Sequence, residues 1–427
     1  MAVSLKAQIN SPFTRYGIGN IQPQNFSIPR SIGLNAAYRS NQHLNFLNPA
    51  SNSELDFTAF DFSLYWEGVK LRSNDTIYGM NDGTLGQFAL GFPIINDRWG
   101  ASFGLMPYSR VDYSYIRTIL DSVNGPYSEL FNGDGTLYQF YLANGVSFGD
   151  FSVGLNAALM FGTLTYRGSV IFDPSLNALN IRNFQSINVR DFTYSIGAQY
   201  SNRFTVKDED LDNENDRTYE ITAGIYGNSA VNLKSFVDDQ WQSYTIGSSG
   251  LPVIQDTLRF VNNERGNLKI PAQIGLGFAT SFFDQEMQRR ATIGIDFNYT
   301  RWSKFESPLD NTNPIRDAWK LSFGGEFITK HPNYNNFTNM LELRLGFFVG
   351  QTYYQFRGED IPEYGMTFGL GFPVKKIRGA ITKFNLLMEV GRRGTRNGGL
   401  YEEGYIRLTF NFTFNDTWFI RRKFDYS

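Results

Sequence analysis

The sequence predicts an all-β fold, a transmembrane antiparallel β-barrel of about 14 strands with an N-terminal hatch, or plug, in its lumen. Three observations carry this. Aromatic residues make up 16% of the 427 residues, with 39 Phe and 24 Tyr, yet the mean hydropathy is −0.32. A soluble protein would need a very large core to hide so many rings, whereas a barrel turns one face of each strand to lipid and the other to a polar lumen. Apolar and polar residues alternate with a period of two from Leu55 almost to the C-terminus. No stretch approaches the ~20 apolar residues of a spanning helix, so membrane residence has to come from strands.

Along the chain, residues 1–8 (Met1 to Gln8) read as the remnant of a secretory signal, with small residues before a cut near Ala7 or Gln8. An ordinary frayed terminus is the alternative. Residues 9–54 carry turn formers (Pro12, Gly17, Gly19, Pro23, Pro29, Gly33, Pro49) without sustained alternation, and form the expected hatch. Residues 55–415 form the barrel, with strands expected near 55–69, 84–95, 98–117, 135–148, 151–172, 184–203, 217–236, 267–283, 289–304, 317–329, 339–356, 361–374, 381–394 and 402–415. In 291–300, for example, Ile293, Ile295, Phe297 and Tyr299 oppose Thr292, Gly294, Asp296 and Asn298. Such stripes have the ~9–11-residue length that crosses a hydrocarbon layer at barrel tilt.

An even strand count places both termini in the periplasm of a Gram-negative bacterium, with residues 416–427 as a periplasmic tail. The links 96–97, 149–150, 284–288 and 375–379 then fall on the periplasmic side, and the longer links 70–83, 118–134 and 237–266 outside. Links 204–216 and 330–338 are long on the supposedly short side, so a one-hairpin error in the count stays open.

Composition excludes several kinds of chemistry. The net charge is −2 with dispersed Lys and Arg, which argues against nucleic acid. The absence of Cys removes thiol nucleophiles and thiolate metal sites. His43 and His331 have no catalytic motif around them, and His331 precedes Pro332 in an expected turn. The run Asp208 to Asp216 has alternating carboxylates but lacks the glycine and terminal glutamate of a calcium loop, so it reads as a solvated turn. No catalytic residue, metal site or cofactor is expected.

Parity places Asp296, Lys320, Glu326, Glu342, Arg344, Glu389 and Arg407 on the inward face. They line a permeation path or, as the mixed signs favour, cross-link the lumen as ion pairs. Pro107 interrupts the third expected strand. It cannot donate a ladder hydrogen bond, so it forces a kink or bulge, with or without a lateral gap.

In Asn48-Pro49-Ala50, in Pro107-Tyr108 and in its expected strand number, the chain resembles the long-chain fatty-acid transporter (FadL-like) outer-membrane barrels. Asn48-Pro49-Ala50 sits just before the first strand, where that family has an Asn-Pro-Ala hatch element. Pro107-Tyr108 matches its Pro-aromatic element at the kinked strand, and the expected strand number is the family's 14. Ser31 to Ala37 is a thin counterpart of the family's Ala/Gly-rich hatch run. The resemblance implies passive uptake of a hydrophobic small molecule such as a fatty acid, leaving sideways into outer-membrane lipid at Pro107 and Tyr108. Phe13, Tyr16, Phe26 and Phe46 are the expected ligand-binding aromatics, or else simply anchor the hatch. The rival expectation is a non-transporting subunit of a larger outer-membrane assembly, meeting protein partners through its outer loops or the Arg421-Arg-Lys423 tail.

Overall fold

A computed structural model describes residues 11–26, 28, 32–72, 77–121, 125–176, 178–207, 217–309, 315–329, 341–356, 358–377 and 380–416. The proposed signal remnant, the acidic run 208–216, His331 and the tail beyond Asp416 lie outside the described residues. No described helix is long and apolar enough to cross a membrane.

A two-residue strand, β1 (Asn20–Ile21), lies in the N-terminal segment. The wall follows in sequence order: β2 (Thr58–Arg72), β3 (Ile77–Ile95), β4 (Trp99–Asp121), β5 (Gly125–Phe148), β6 (Phe151–Phe172) and β7 (Asn180–Val206). Next come β8 (Arg217–Asn228), β9 (Val231–Ile246), β10 (Pro252–Ile270) and β11 (Gln273–Phe283). The last six are β12 (Arg289–Thr300), β13 (Ala318–Ile328), β14 (Glu342–Phe356), β15 (Glu359–Ile377), β16 (Ala380–Gly394) and β17 (Glu402–Asp416).

Wall strands pair antiparallel, and β17 closes on β2 from Glu402↔Arg72 to Asp416↔Thr58. β8 and β9 together make one wall strand and β10 with β11 the next, because β8 pairs with β11 and β9 with β10. The result is a closed barrel of 14 wall strands. Closure removes the free edge strands that an open sheet would present.

The alternation seen in the sequence becomes two faces. On β14, Leu343, Leu345, Phe347 and Val349 point outward at 41–46% exposure, while Glu342 and Arg344 are each 4% exposed inside. Ile293, Ile295 and Phe297 likewise face out around the buried Asp296.

Two expectations need correction. The links 70–83, 118–134 and 237–266 are not loops. Strands continue through most of them, reaching Arg72 and resuming at Ile77, reaching Asp121 and resuming at Gly125, and reaching Ile246 and resuming at Pro252. Beyond the apolar band both faces are polar, so period-two contrast fades while the backbone ladder persists. Cross-strand pairs such as Arg117–Glu129 at 2.8 Å and Thr118–Ser128 at 3.3 Å replace hydrophobic contacts there. Expected strands 217–236 and 267–283 are also each interrupted, at Ser229-Ala230 and at Pro271-Ala272. Pro271 has no N–H to give the ladder.

Candidate functional site

The N-terminal segment before β2 touches the inward face of the wall on many strands. Asn48 caps a short 3₁₀ turn (Pro49–Glu54), accepting a bond from the Ala50 N–H at 3.2 Å. Proline at the first helical position suits this turn, since its missing N–H has no partner there to lose. The fully buried Asn48 amide donates to the Ala36 carbonyl at 2.7 Å and, at 3.4 Å, to the carbonyls of Ala198 and Ile225 on β7 and β8. Asn48, Pro49 and Ala50 thus form one tightly bonded corner against the wall.

Beneath that corner runs a row of glycines. Gly100, Gly145, Gly154 and Gly197 are ladder partners in succession across β4, β5, β6 and β7. A Cβ at Gly154 would lie 2.4 Å from Ala50 N, one at Gly100 1.9 Å from Asn52 O, and one at Gly197 2.0 Å from Asn48 Oδ1. Bare backbone is what lets the turn seat this closely. Inward parity does not reveal this row, because a glycine in a strand carries no sign of what approaches it.

At Pro107 the ladder between β4 and β5 shifts register, between Pro107 and Ser109, so Tyr108 is bulged. On the other side, β3–β4 pairing ends at Phe88↔Leu105. Beyond it, among the described residues, the rest of β3 pairs with β2 alone. The N-terminal segment occupies this break. Asn20 and Ile21 pair with Arg110 and Ser109, and the Gln22 N–H donates to the Tyr108 carbonyl at 2.9 Å. Phe26 packs over Gly86 and its N–H donates to Gln87 Oε1 at 3.3 Å. An Arg110–Asp82 ion pair spans from β4 to β3.

The seven inward charges read from the sequence are buried or part-buried, and six of them bond to specific partners. Arg344 joins Glu326 at 2.6 Å and Glu342, which also holds Lys383. Arg407 joins Glu389 at 2.8 Å and Glu67 at 2.9 Å. Asp296 accepts the backbone N–H groups of Asn35 at 3.1 Å and Ala36 at 2.6 Å, anchoring the N-terminal segment. Lys320 differs, with its ammonium 3.7 Å from the Phe348 ring centre. Sequence reading missed Glu67, Lys383, Arg393 and Glu403, although Arg393 and Glu403 share the inward parity and pair at 2.6 Å. His43 lies 3.3 Å from Lys383 Nζ, and burial first, then that ammonium, hold its imidazole well below its ordinary pKa.

The four aromatics do not converge on one pocket. Phe13 stacks on Phe356 at 5.2 Å, and Tyr16 meets the same ring at 5.0 Å. Phe26 stacks on Tyr65, while Phe46 meets Tyr141 edge-on at 4.8 Å. One interior cavity of about 290 Å³ is bordered by Asp296, Lys320, Glu363, Glu389, Arg393 and Arg407. A second, of about 170 Å³, is bordered by Phe46 and Tyr108 and by no charged side chain.

These features define a closed antiparallel β-barrel of 14 wall strands, a fold shared with FadL-type channels. A FadL homologue of Pseudomonas aeruginosa superposes with a TM-score of 0.56 at 13% identity, covering 93% of this chain and 99% of the other. The toluene transporter TbuX of Ralstonia pickettii gives 0.54 at 12% identity (93% and 98% covered). The toluene transporter TodX of P. putida gives 0.53 at 15% (94% and 99%). At such identities the likeness establishes the fold alone. No curated protein matches the sequence. The profile of the BamG family matches residues 1–425, and the chain belongs to that family.

Proposed function

We propose that this chain is an outer-membrane barrel of a Gram-negative bacterium acting as a closed, non-transporting subunit of a larger outer-membrane protein assembly. The interior carries the reading. Residues 9–54 serve as a hatch bonded into the wall through Asn48, through Asp296 and through β1. Opening a conduit would break these buried bonds at about 1 kcal/mol or more each. The ion pairs around Arg344 and Arg407 tie neighbouring wall strands together and leave little mobile charge to conduct. BamG family membership is compatible with a protein complex.

The docking element we assign is the β9–β10 hairpin. Leu251, Val253, Ile254, Leu258 and Phe260 are 48–66% exposed there, a patch with no core of its own. With the short links toward the periplasm and both termini there, this hairpin stands on the outer side. Purification in mild detergent tests the assignment. Protein partners in stoichiometric amounts, lost when residues 249–262 are replaced by a short turn, support it; a lone monomer from the native membrane refutes it.

A second reading is favoured by the ladder break at Pro107. There the barrel passes a hydrophobic small molecule such as a fatty acid, which meets Phe13, Tyr16, Phe26 and Phe46 at separate points along the N-terminal segment and is released sideways beside Tyr108. Uptake of a labelled fatty acid is the measurement. If removing residues 9–54 and replacing Pro107→Ala both leave uptake unchanged, lateral transport is excluded.

A further inference from the structure

A second break in the wall lies away from Pro107. The β7–β8 ladder ends at Ile196↔Gly227, and β7 resumes pairing, now with β9, at Val189↔Ser235. The six residues Arg190–Ser195 have no ladder partner on that side among the described residues. Side chains span the space instead. The Asp191 carboxylate accepts the Lys234 N–H at 2.9 Å, and the Tyr194 and Ser229 hydroxyls meet at 2.5 Å. Ser229-Ala230 and Pro271-Ala272 interrupt the two facing wall strands at one height, since Ile270↔Val231 and Gln273↔Asn228 bracket them.

Behind this break lies the uncharged cavity of about 170 Å³. Thr193, Ser195, Asn228 and Pro271 border it at the break, with Ala158 and Met160 deeper in. Asn156, the ladder partner of Ser195, also borders it. Asn156 is 2% exposed, and its carbonyl oxygen has no hydrogen-bond partner. A buried acceptor left empty is costly, so a donor arriving there is rewarded. On the other side of β7, Phe192, Tyr194 and Ile196 are 45–68% exposed on the face that meets lipid.

We propose that this cavity binds a neutral, membrane-dissolved molecule with an apolar body and one hydrogen-bond donor, a long-chain alcohol being the simplest case. It enters from lipid between β7 and the β8–β9 strand and donates to Asn156 Oδ1. The absence of any charged lining residue selects against an ionised headgroup, whose desolvation nothing there would offset. Ala158 and Met160 supply the apolar contact. The site rests on neither reading of the function: Phe46 and Tyr108 border the same cavity, but entry here is between β7 and the β8–β9 strand, not at Pro107, so the cysteine pair tests it separately.

The test uses the full-length barrel in lipid nanodiscs and a diazirine-bearing hexadecanol, with adducts mapped by mass spectrometry. Cavity residues Ala158, Met160 and Thr193 are expected to be labelled. Asn156→Leu, close in volume but without the acceptor, should lower that labelling roughly tenfold. The diazirine hexadecanoic acid at pH 8 should label only the outer face. A Ser195→Cys/Asn228→Cys pair, placed where the broken ladder would continue, should block cavity labelling when oxidised and restore it when reduced. Heat-shift electrophoresis confirms that each variant keeps the folded barrel. Labelling confined to Phe192 and Ile196, which do not border the cavity, overturns the proposal. So does equal labelling by alcohol and carboxylate, an Asn156→Leu variant that labels like the parent, or indifference to the disulfide.

Discussion

Gly154→Ala is a single-methyl test of how the N-terminal segment is seated. The added Cβ would lie 2.4 Å from both Ala50 N and Pro49 C, against ordinary contact from 3.4 Å. The 3₁₀ turn must therefore retreat by about 1 Å. That movement strains the Asn48 amide bond to Ala36 O, now 2.7 Å, and the Ser53–Ser152 hydroxyl contact at 3.0 Å. Overpacking costs about 1–3 kcal/mol, and one or two weakened buried bonds add about 1 kcal/mol. The sum, about 2–4 kcal/mol, corresponds to a roughly 30- to 900-fold rise in the opened population of the segment. Hydrogen exchange at the Ala36 and Ala50 amides, measured in nanodiscs, reads this directly. Gly79→Ala serves as control, because its Cβ would meet nothing within 4 Å. If Gly154→Ala and Gly79→Ala exchange at the same rate, the glycine row is not the seat of the segment and the reasoning fails.

Three further outcomes are expected. Arg344→Met strands Glu326 and leaves Glu342 with Lys383 alone, so thermal unfolding should show a loss of about 3–5 kcal/mol; Arg344→Lys should recover only part, because it cannot reach both carboxylates with a planar fork. Asn48→Ala removes the bonds to Ala36, Ala198 and Ile225 and should speed exchange across residues 36–50 by roughly ten- to a hundredfold, with the barrel's heat shift unchanged. Asp56, between the N-terminal segment and β2, has its carboxyl pushed up to about 6, chiefly by burial and then by Asp97, against the bond from Asn41. A raised carboxyl pKa means that its contribution to holding the segment is present below about pH 4 and lost as pH rises through about 6. Asp56→Asn should accordingly remove that part of the pH dependence of proteolysis near residue 56, and a wild-type profile in the variant would count against it.

Much of the wall was legible because lipid imposes a period of two that few other environments sustain. The inward set, from Asp296 through Arg407, follows from parity alone, and so does the outward row of Ile293, Ile295 and Phe297. Legibility stopped where the physics changed. Above the apolar band, polar residues on both faces erased the contrast, and strands such as β5 and β10 extend well past their expected ends. The breaks at Ser229-Ala230 and Pro271-Ala272 depend on two strands being interrupted at the same height, which a linear reading does not align. The ion pairs were foreseeable as mixed charges on one face, but the choice of Glu67 for Arg407 comes from β2 and β17 meeting at closure. The four aromatics show the opposite limit. Their common position in the N-terminal segment suggested one pocket, whereas Phe13 and Tyr16 share Phe356, Phe26 packs on Tyr65 and Phe46 on Tyr141, three separate stretches of wall.

The pairing of β2 with β17 also orders events during folding. The described residues among 11–57 precede β2 and contact inward-facing residues from β2 (Tyr65) to β17 (Glu403), while the closing seam is made by the last wall strand in the sequence. Contacts so distant along the chain form late, because the loop entropy must be paid before they return anything. The N-terminal segment is therefore the first part of this region to emerge and has to be in place when the ring zips shut around it. A growing barrel with an open β2–β17 seam would expose the whole lumen, charges included, and the segment provides the surface on which the inward side chains can find partners before closure.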